Sequence, residues 1–144
     1  MDDTQRSVFI TRTGPQTYQA TNPRGGVITF GDREGVDFSA VELLLVALGG
    51  CNALTIESLV AKRAEPELFD FSVLAHKVKD EDGGSHLDDV QVAVDVRFGT
   101  DKAGAKAESR VEDAMEKSHQ KYCTVSRSLE RGTPVKMSRL ESPA

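Results

Sequence analysis

A chain of 144 residues with 38% hydrophobic and 6% aromatic residues, and no Trp, is sized for one domain, residues 1–144. Its core would be modest, and a homodimer interface would enlarge it. The net charge of −5 is spread over interspersed acids and bases, which leaves no basic stripe or Arg cluster for nucleic acid.

The segment from Met1 to Arg6 is acidic and polar, unlike a secretion signal, and the longest apolar run reads as short of a membrane span. The expected location is cytoplasmic, with no membrane partner, where thiols stay reduced unless they are catalytic or sensing. Two cysteines and three scattered histidines show neither C-x-x-C nor H-x-x-x-H spacing, so no metal site is expected.

Residues 7–30 read as a strand meander, with Val8 to Thr11 first, a turn at Gly14-Pro15, Thr17 to Thr21, a turn at Asn22-Pro23-Arg24-Gly25-Gly26, then Val27 to Phe30. A helix follows. Ser39 can cap it, Glu42 stands where a capping box needs it, and Phe38 can staple onto Leu43. It should run to about Lys62, before Pro66, and its apolar first half, Leu43 to Leu48, predicts a central buried helix.

A hairpin is next, with alternation from Phe69 to His76, a tip at Asp80 to Ser85 containing Gly83-Gly84, and alternation from Val90 to Phe98. From Ala105 the period becomes helical. Ala107, Val111, Ala114, Met115 and Ser118 form one stripe, and Tyr122, Val125 and Leu129 continue it after a break. Gly132 reads as a stop, and Pro134 to Ser138 as a last edge strand. Strands in hairpins, not alternating with helices, give an α+β class.

The chemistry centres on the two cysteines. Cys51 ends an apolar run and follows Gly49-Gly50, two glycines that cost about 1 kcal/mol each inside a helix. Such a pair lets a second helix or a ligand come close. Cys51 is then either a small packed hydrophobe or a redox thiol.

The run from Ser39 to Cys51, with its E-L-L-L-V-A-L-G-G-C form, resembles the central-helix signature of the OsmC/Ohr family. Ser118-His119-Gln120-Lys121-Tyr122-Cys123-Thr124-Val125 resembles that family's second-cysteine segment. The resemblance covers nearly the whole chain. It implies an OsmC-like fold, with antiparallel sheets wrapped around long central helices in an intertwined homodimer and active sites at the subunit interface.

It further implies a peroxidase acting on organic hydroperoxides or hydrogen peroxide. Cys51 would be the peroxidatic thiolate and Cys123 the resolving thiol, with a sulfenic acid and then a disulfide on the path. An external dithiol would restore both thiols, and no metal, flavin or haem is needed. The thiolate needs a nearby cation, because burial alone raises a thiol's pKa. Arg24 is the choice, in the glycine turn where the family places its catalytic arginine, ahead of Arg33, Arg6 and Arg12.

Glu42 would orient that arginine, although it stands nine positions before Cys51. The family's best-known peroxidases have their glutamate at ten, here Val41, and one residue turns a helical side chain by about 100°. Closing the capping box with Ser39 is a sufficient role for Glu42. That shift motivates a second reading, a non-catalytic member binding an apolar ligand in the same cleft, and a redox sensor is a third. Tyr122 reads as packing, and His76, His86 and His119 as surface residues. The loop from Lys79 to Gly84 reads as a solvated hairpin tip, without the spacing of a calcium loop.

Overall fold

The computed structural model of the protein describes residues 3–32 and 38–140. Arg33, a competing arginine in the sequence reading, lies outside them. The chain divides into two compact units, Met1–Val46 and Ala47–Ala144.

The first unit carries a three-stranded antiparallel sheet in the order β1 (Phe9–Gly14), β2 (Thr17–Thr21), β3 (Val27–Gly31). Both expected turns form. Gln16 takes a positive φ of 52° between β1 and β2, and Asn22 Oδ1 gathers the backbone N–H groups of Arg24 and Gly26 between β2 and β3. Tyr18 stacks on Phe30 across the β2–β3 pair, ring centroids 5.7 Å apart. Val8, Phe9, Ile10, Val27 and Ile28 remain exposed.

Helix α1 (Ala40–Val60) starts as its sequence signals. The Ser39 N–H donates to Glu42 Oε1 at 2.9 Å, and the Glu42 N–H donates to Ser39 Oγ at 3.1 Å, a closed capping box. The expectation of burial on all sides is not met within one chain. Of Leu43 to Leu48 only Leu48 is buried, while Leu44 and Val46 are exposed. A helix buries every face only when neighbours surround it, and here a single stripe is covered, Leu48, Gly49, Asn52, Ile56 and Val60. By length and mean hydropathy (1.8) alone α1 is long and apolar enough to cross a membrane, as core helices of soluble proteins also can be, and 28% of that stretch is buried.

In the second unit β4 (Leu68–Lys79) and β5 (Ser85–Arg97) form the expected antiparallel hairpin, with a bulge between Leu74 and His76. Its tip closes through Asp80 and Gly84, with Gly83 at φ +88°. Ile56, Val60, Val96, Phe98, Ala107 and Ala114 make the core.

The helical C-terminal region begins earlier than expected, at Lys102, because Asp101 Oδ1 accepts the Gly104 N–H at 3.0 Å and caps the first turn. It runs as α2 (Lys102–Glu108), α3 (Val111–Lys117), a π turn (Ser118–Tyr122) and α4 (Thr124–Glu130). Residues 133–140 form no strand, so the expected edge strand from Pro134 to Ser138 is absent, and Val135, Met137 and Leu140 stand in solvent. A strand needs a hydrogen-bonded neighbour, and none pairs with this segment among the described residues.

Candidate functional site

Cys51 is delivered by α1 at the edge of its buried stripe and is partly exposed. The two glycines before it have different jobs. A Cβ on Gly49 would stand 2.6 Å from Val73 Cγ2, so Gly49 is what lets α1 lie on β4. A Cβ on Gly50 would meet nothing within 4 Å, so Gly50 leaves open space one position before the sulfur.

Cys123 is fully buried, and the π turn puts it there. The Cys123 N–H donates to Ser118 O at 2.8 Å, a bond spanning five residues where a regular helix spans four. That extra residue advances the buried face by one position. After Ala114 and Ser118 the buried residues are Cys123 and Ser126, while Tyr122 and Leu129, expected on the apolar stripe, are exposed. Tyr122 instead lies under Lys121 Nζ, 5.3 Å from its ring centroid.

The two sulfurs are neighbours: both are free thiols, and each perturbs the ionisation of the other. Burial pushes the Cys51 thiol up, and its hydrogen bond and proximity to Cys123 add to that. The N–H groups of Val125 and Thr124 pull the other way without reversing it. Burial pushes Cys123 up as well, but donors overcome it: the Ser126 hydroxyl, the Cys51 thiol, and the N–H groups of Ser126 and Val125. The Ser126 N–H lies 3.3 Å from Cys123 Sγ. The net direction for Cys123 is down. Within this chain the surroundings of Cys51 give no net lowering, which is where the sequence reading asks for a cation.

A polar network that sequence reasoning missed surrounds the pair. Asn52, next to Cys51, is buried together with Ser118 and Ser126. Its Nδ2 donates to Ser126 Oγ and to Leu48 O, each at 2.9 Å, and its Oδ1 accepts from Ser118 Oγ at 2.7 Å. The only sequence signal is a polar residue placed on the covered side of an apolar helix.

The other candidates are distributed as follows. Arg24 and Glu42 belong to the first compact unit and the cysteines to the second. Arg24 sits in the β2–β3 turn, its backbone N–H donating to Asn22 Oδ1 at 3.1 Å. The Glu42 carboxylate is engaged by the Ser39 N–H. The histidines are surface residues as read, pairing His76 with Asp89, His86 with Asp80 and His119 with Glu130.

The family model described as "OsmC-like protein" matches residues 31–138. A comparison with curated proteins gave no match. Among solved structures, an OsmC-like protein of unknown function from Vibrio cholerae is similar at 19% identity and a TM-score of 0.70, over 88% of this chain and 94% of the other. An OsmC-like protein from Mycoplasma pneumoniae has 14% identity and a TM-score of 0.71, over 90% and 89%. The organic hydroperoxide resistance protein OhrB of Bacillus subtilis has 16% identity and a TM-score of 0.56, over 90% and 92%. At these identities the likeness is one of fold.

Proposed function

This chain belongs to the OsmC-like protein family, and within that family we propose that it is a cytoplasmic, homodimeric, thiol-dependent peroxidase reducing organic hydroperoxides or hydrogen peroxide. The observation that carries this reading is that a partly open thiol, Cys51, and a sealed one, Cys123, lie close enough to be coupled in their ionisation. Residues 1–144 act as one domain in it.

Substrate reaches the accessible sulfur. Cys51 and Cys123 titrate as a coupled pair, so a singly ionised pair supplies a Cys51 thiolate when its one proton rests on Cys123. The thiolate attacks the O–O bond of ROOH, which breaks to give the Cys51 sulfenic acid and RO⁻, protonated to ROH. Cys123 then displaces hydroxide from that sulfenic sulfur, forming the Cys51–Cys123 disulfide and, with a proton, water. An external dithiol returns two electrons and two protons.

A cation is still required to favour charge on Cys51, and Arg24 is assigned that role, with Glu42 orienting it. Exposed apolar area supports the dimer. Leu44, Val46 and Leu54 on α1, the uncovered strands of the first unit, and Val135, Met137 and Leu140 all await a cover. Leu54, one helical turn beyond Cys51, also favours a substrate with an alkyl or lipid tail.

The test is stoichiometric. Reduced protein is treated with cumene hydroperoxide and its free thiols are counted. Loss of both, with recovery on adding a dithiol, is expected; retention of both under excess peroxide rejects the reading.

One observation favours a second reading. The Glu42 carboxylate is occupied by the capping box, as suits a relative that keeps the fold and binds an apolar ligand without turnover. Such a protein would bind a fatty acyl probe and leave hydroperoxide unconsumed.

A further inference from the structure

We propose that Asn52 is a positioning residue for the sulfur pair, its carboxamide clamping the two serines that flank Cys123 and so holding Cys123 against Cys51. The inference rests on reading Cys51 and Cys123 as a redox pair, not on which oxidant they meet.

The geometry works from both sides of Cys123. On one side Ser118 receives the Cys123 N–H through its carbonyl at 2.8 Å and gives its own hydroxyl proton to Asn52 Oδ1 at 2.7 Å. On the other side Ser126 Oγ accepts from Asn52 Nδ2 at 2.9 Å, and its backbone N–H donates to Cys123 Sγ at 3.3 Å. Asn52 follows Cys51 on α1, so one amide ties the cysteine-bearing turn to the helix that carries the other sulfur.

All three hydrogen-bonding groups of the carboxamide are used, the remaining N–H going to Leu48 O at 2.9 Å. Asn52, Ser118 and Ser126 are all buried, where such a fully satisfied network fixes one geometry. A hydrophobe would fill the space but would leave the π turn free to relax to a regular helix. Asp would offer no donor to Leu48 O or Ser126 Oγ, and could engage Ser126 only by drawing its O–H away from Cys123.

Disulfide formation depends steeply on such placement, since an effective molarity collapses with small displacements of the reacting atoms. The experiment equilibrates the full-length protein with mixtures of reduced and oxidised dithiothreitol and measures the Cys51–Cys123 exchange constant. Asn52→Ala is expected to lower it about 10- to 100-fold, Ser126→Ala and Ser118→Ala by less, and Ser126→Thr, which keeps the hydroxyl, hardly at all. Ile56→Val, an equally buried change one turn further along α1, loosens the core and should leave the exchange constant in place.

If Asn52→Ala does not fold, Ser126→Ala against Ser126→Thr decides the matter. The proposal is overturned if the folded Asn and Ser variants keep the wild-type constant, if Ile56→Val lowers it equally, or if the wild type forms no intramolecular disulfide. Failure of the peroxidase reading looks different: the wild type then closes its disulfide with dithiothreitol and the variants respond as above, while hydroperoxide is left unconsumed.

Discussion

Cys51 is partly open and its thiol is pushed up by burial, while Cys123 is fully sealed and its thiol is drawn down by the donors around it. Access and a downward pKa shift, two properties a reactive thiol draws on, fall on different members of one coupled pair. The difference comes from their backbones. Cys51 sits inside a long helix whose N–H groups are mostly spent on its own carbonyls. Cys123 precedes α4, whose first N–H groups have no helical partner and turn to sulfur. Burial alone therefore does not rank two thiols; the donors left over by the local backbone do.

Exchanging each sulfur for oxygen gives the largest effect on that contrast. Cys51→Ser should abolish peroxide turnover, because the accessible nucleophile is gone. Cys123→Ser should still consume about one equivalent of peroxide per chain, then stop as an over-oxidised or mixed-disulfide species that mass spectrometry identifies. Equal loss at the first equivalent in both variants would break the division of labour.

The surroundings of Cys51 can be sharpened through its two glycines. Gly49→Ala drives a methyl into Val73 and should cost about 1–3 kcal/mol in chemical denaturation. Gly50→Ala meets open space within the chain and should gain up to about 1 kcal/mol from helix propensity. A loss at Gly50 that depends on protein concentration would instead reveal a second subunit over the sulfur.

Capping is a smaller effect. Ser39→Ala should cost about 1 kcal/mol of stability. Glu42→Ala should lose a comparable amount if its work is the cap alone, and peroxide turnover as well if it also orients Arg24.

The smallest effect is a titration. Thiolate absorbance should rise in two steps, the first below and the second above the range of a free cysteine, and Ser126→Ala should move the first step upward. The stability signs follow. Cys123 has a folded pKa below its unfolded value, so its contribution is present above the unfolded pKa and is lost as pH falls through the folded one. Cys51 has the reverse, a contribution present below its unfolded pKa and lost as pH rises through the folded one. Cys123→Ser should flatten the first trend and Cys51→Ser the second.

What the sequence made legible was local. Ser39 and Glu42 announced the start of α1, Gly83-Gly84 the hairpin tip, and alternation from Val90 the strand β5, because each signal lies within a few residues of what it specifies. Cys51 and Cys123 stood out through their flanking blocks, but their proximity is a tertiary fact. Asn52 and Ser126 went unseen because a polar residue in a helix ordinarily faces water. Tyr122 and Leu129 lie off the expected face because a break between Ser118 and Tyr122 is legible in the sequence but its kind, a π turn that adds one residue, is not. The burial of Leu43 to Leu48 and the edge strand from Pro134 were read from composition, and composition does not say which chain supplies the cover.

The π turn makes the meeting of the sulfurs a matter of arithmetic. Relaxing it to ordinary helical spacing with every residue kept would swing Cys123 about 100° around the axis, away from Cys51, whereas deleting one residue between His119 and Tyr122 would restore ordinary spacing and leave the sulfur on the buried face. The spacing from Ser118 to Cys123 and the kind of turn between them must therefore agree, five with a π turn or four with a regular one, for the two cysteines to face each other.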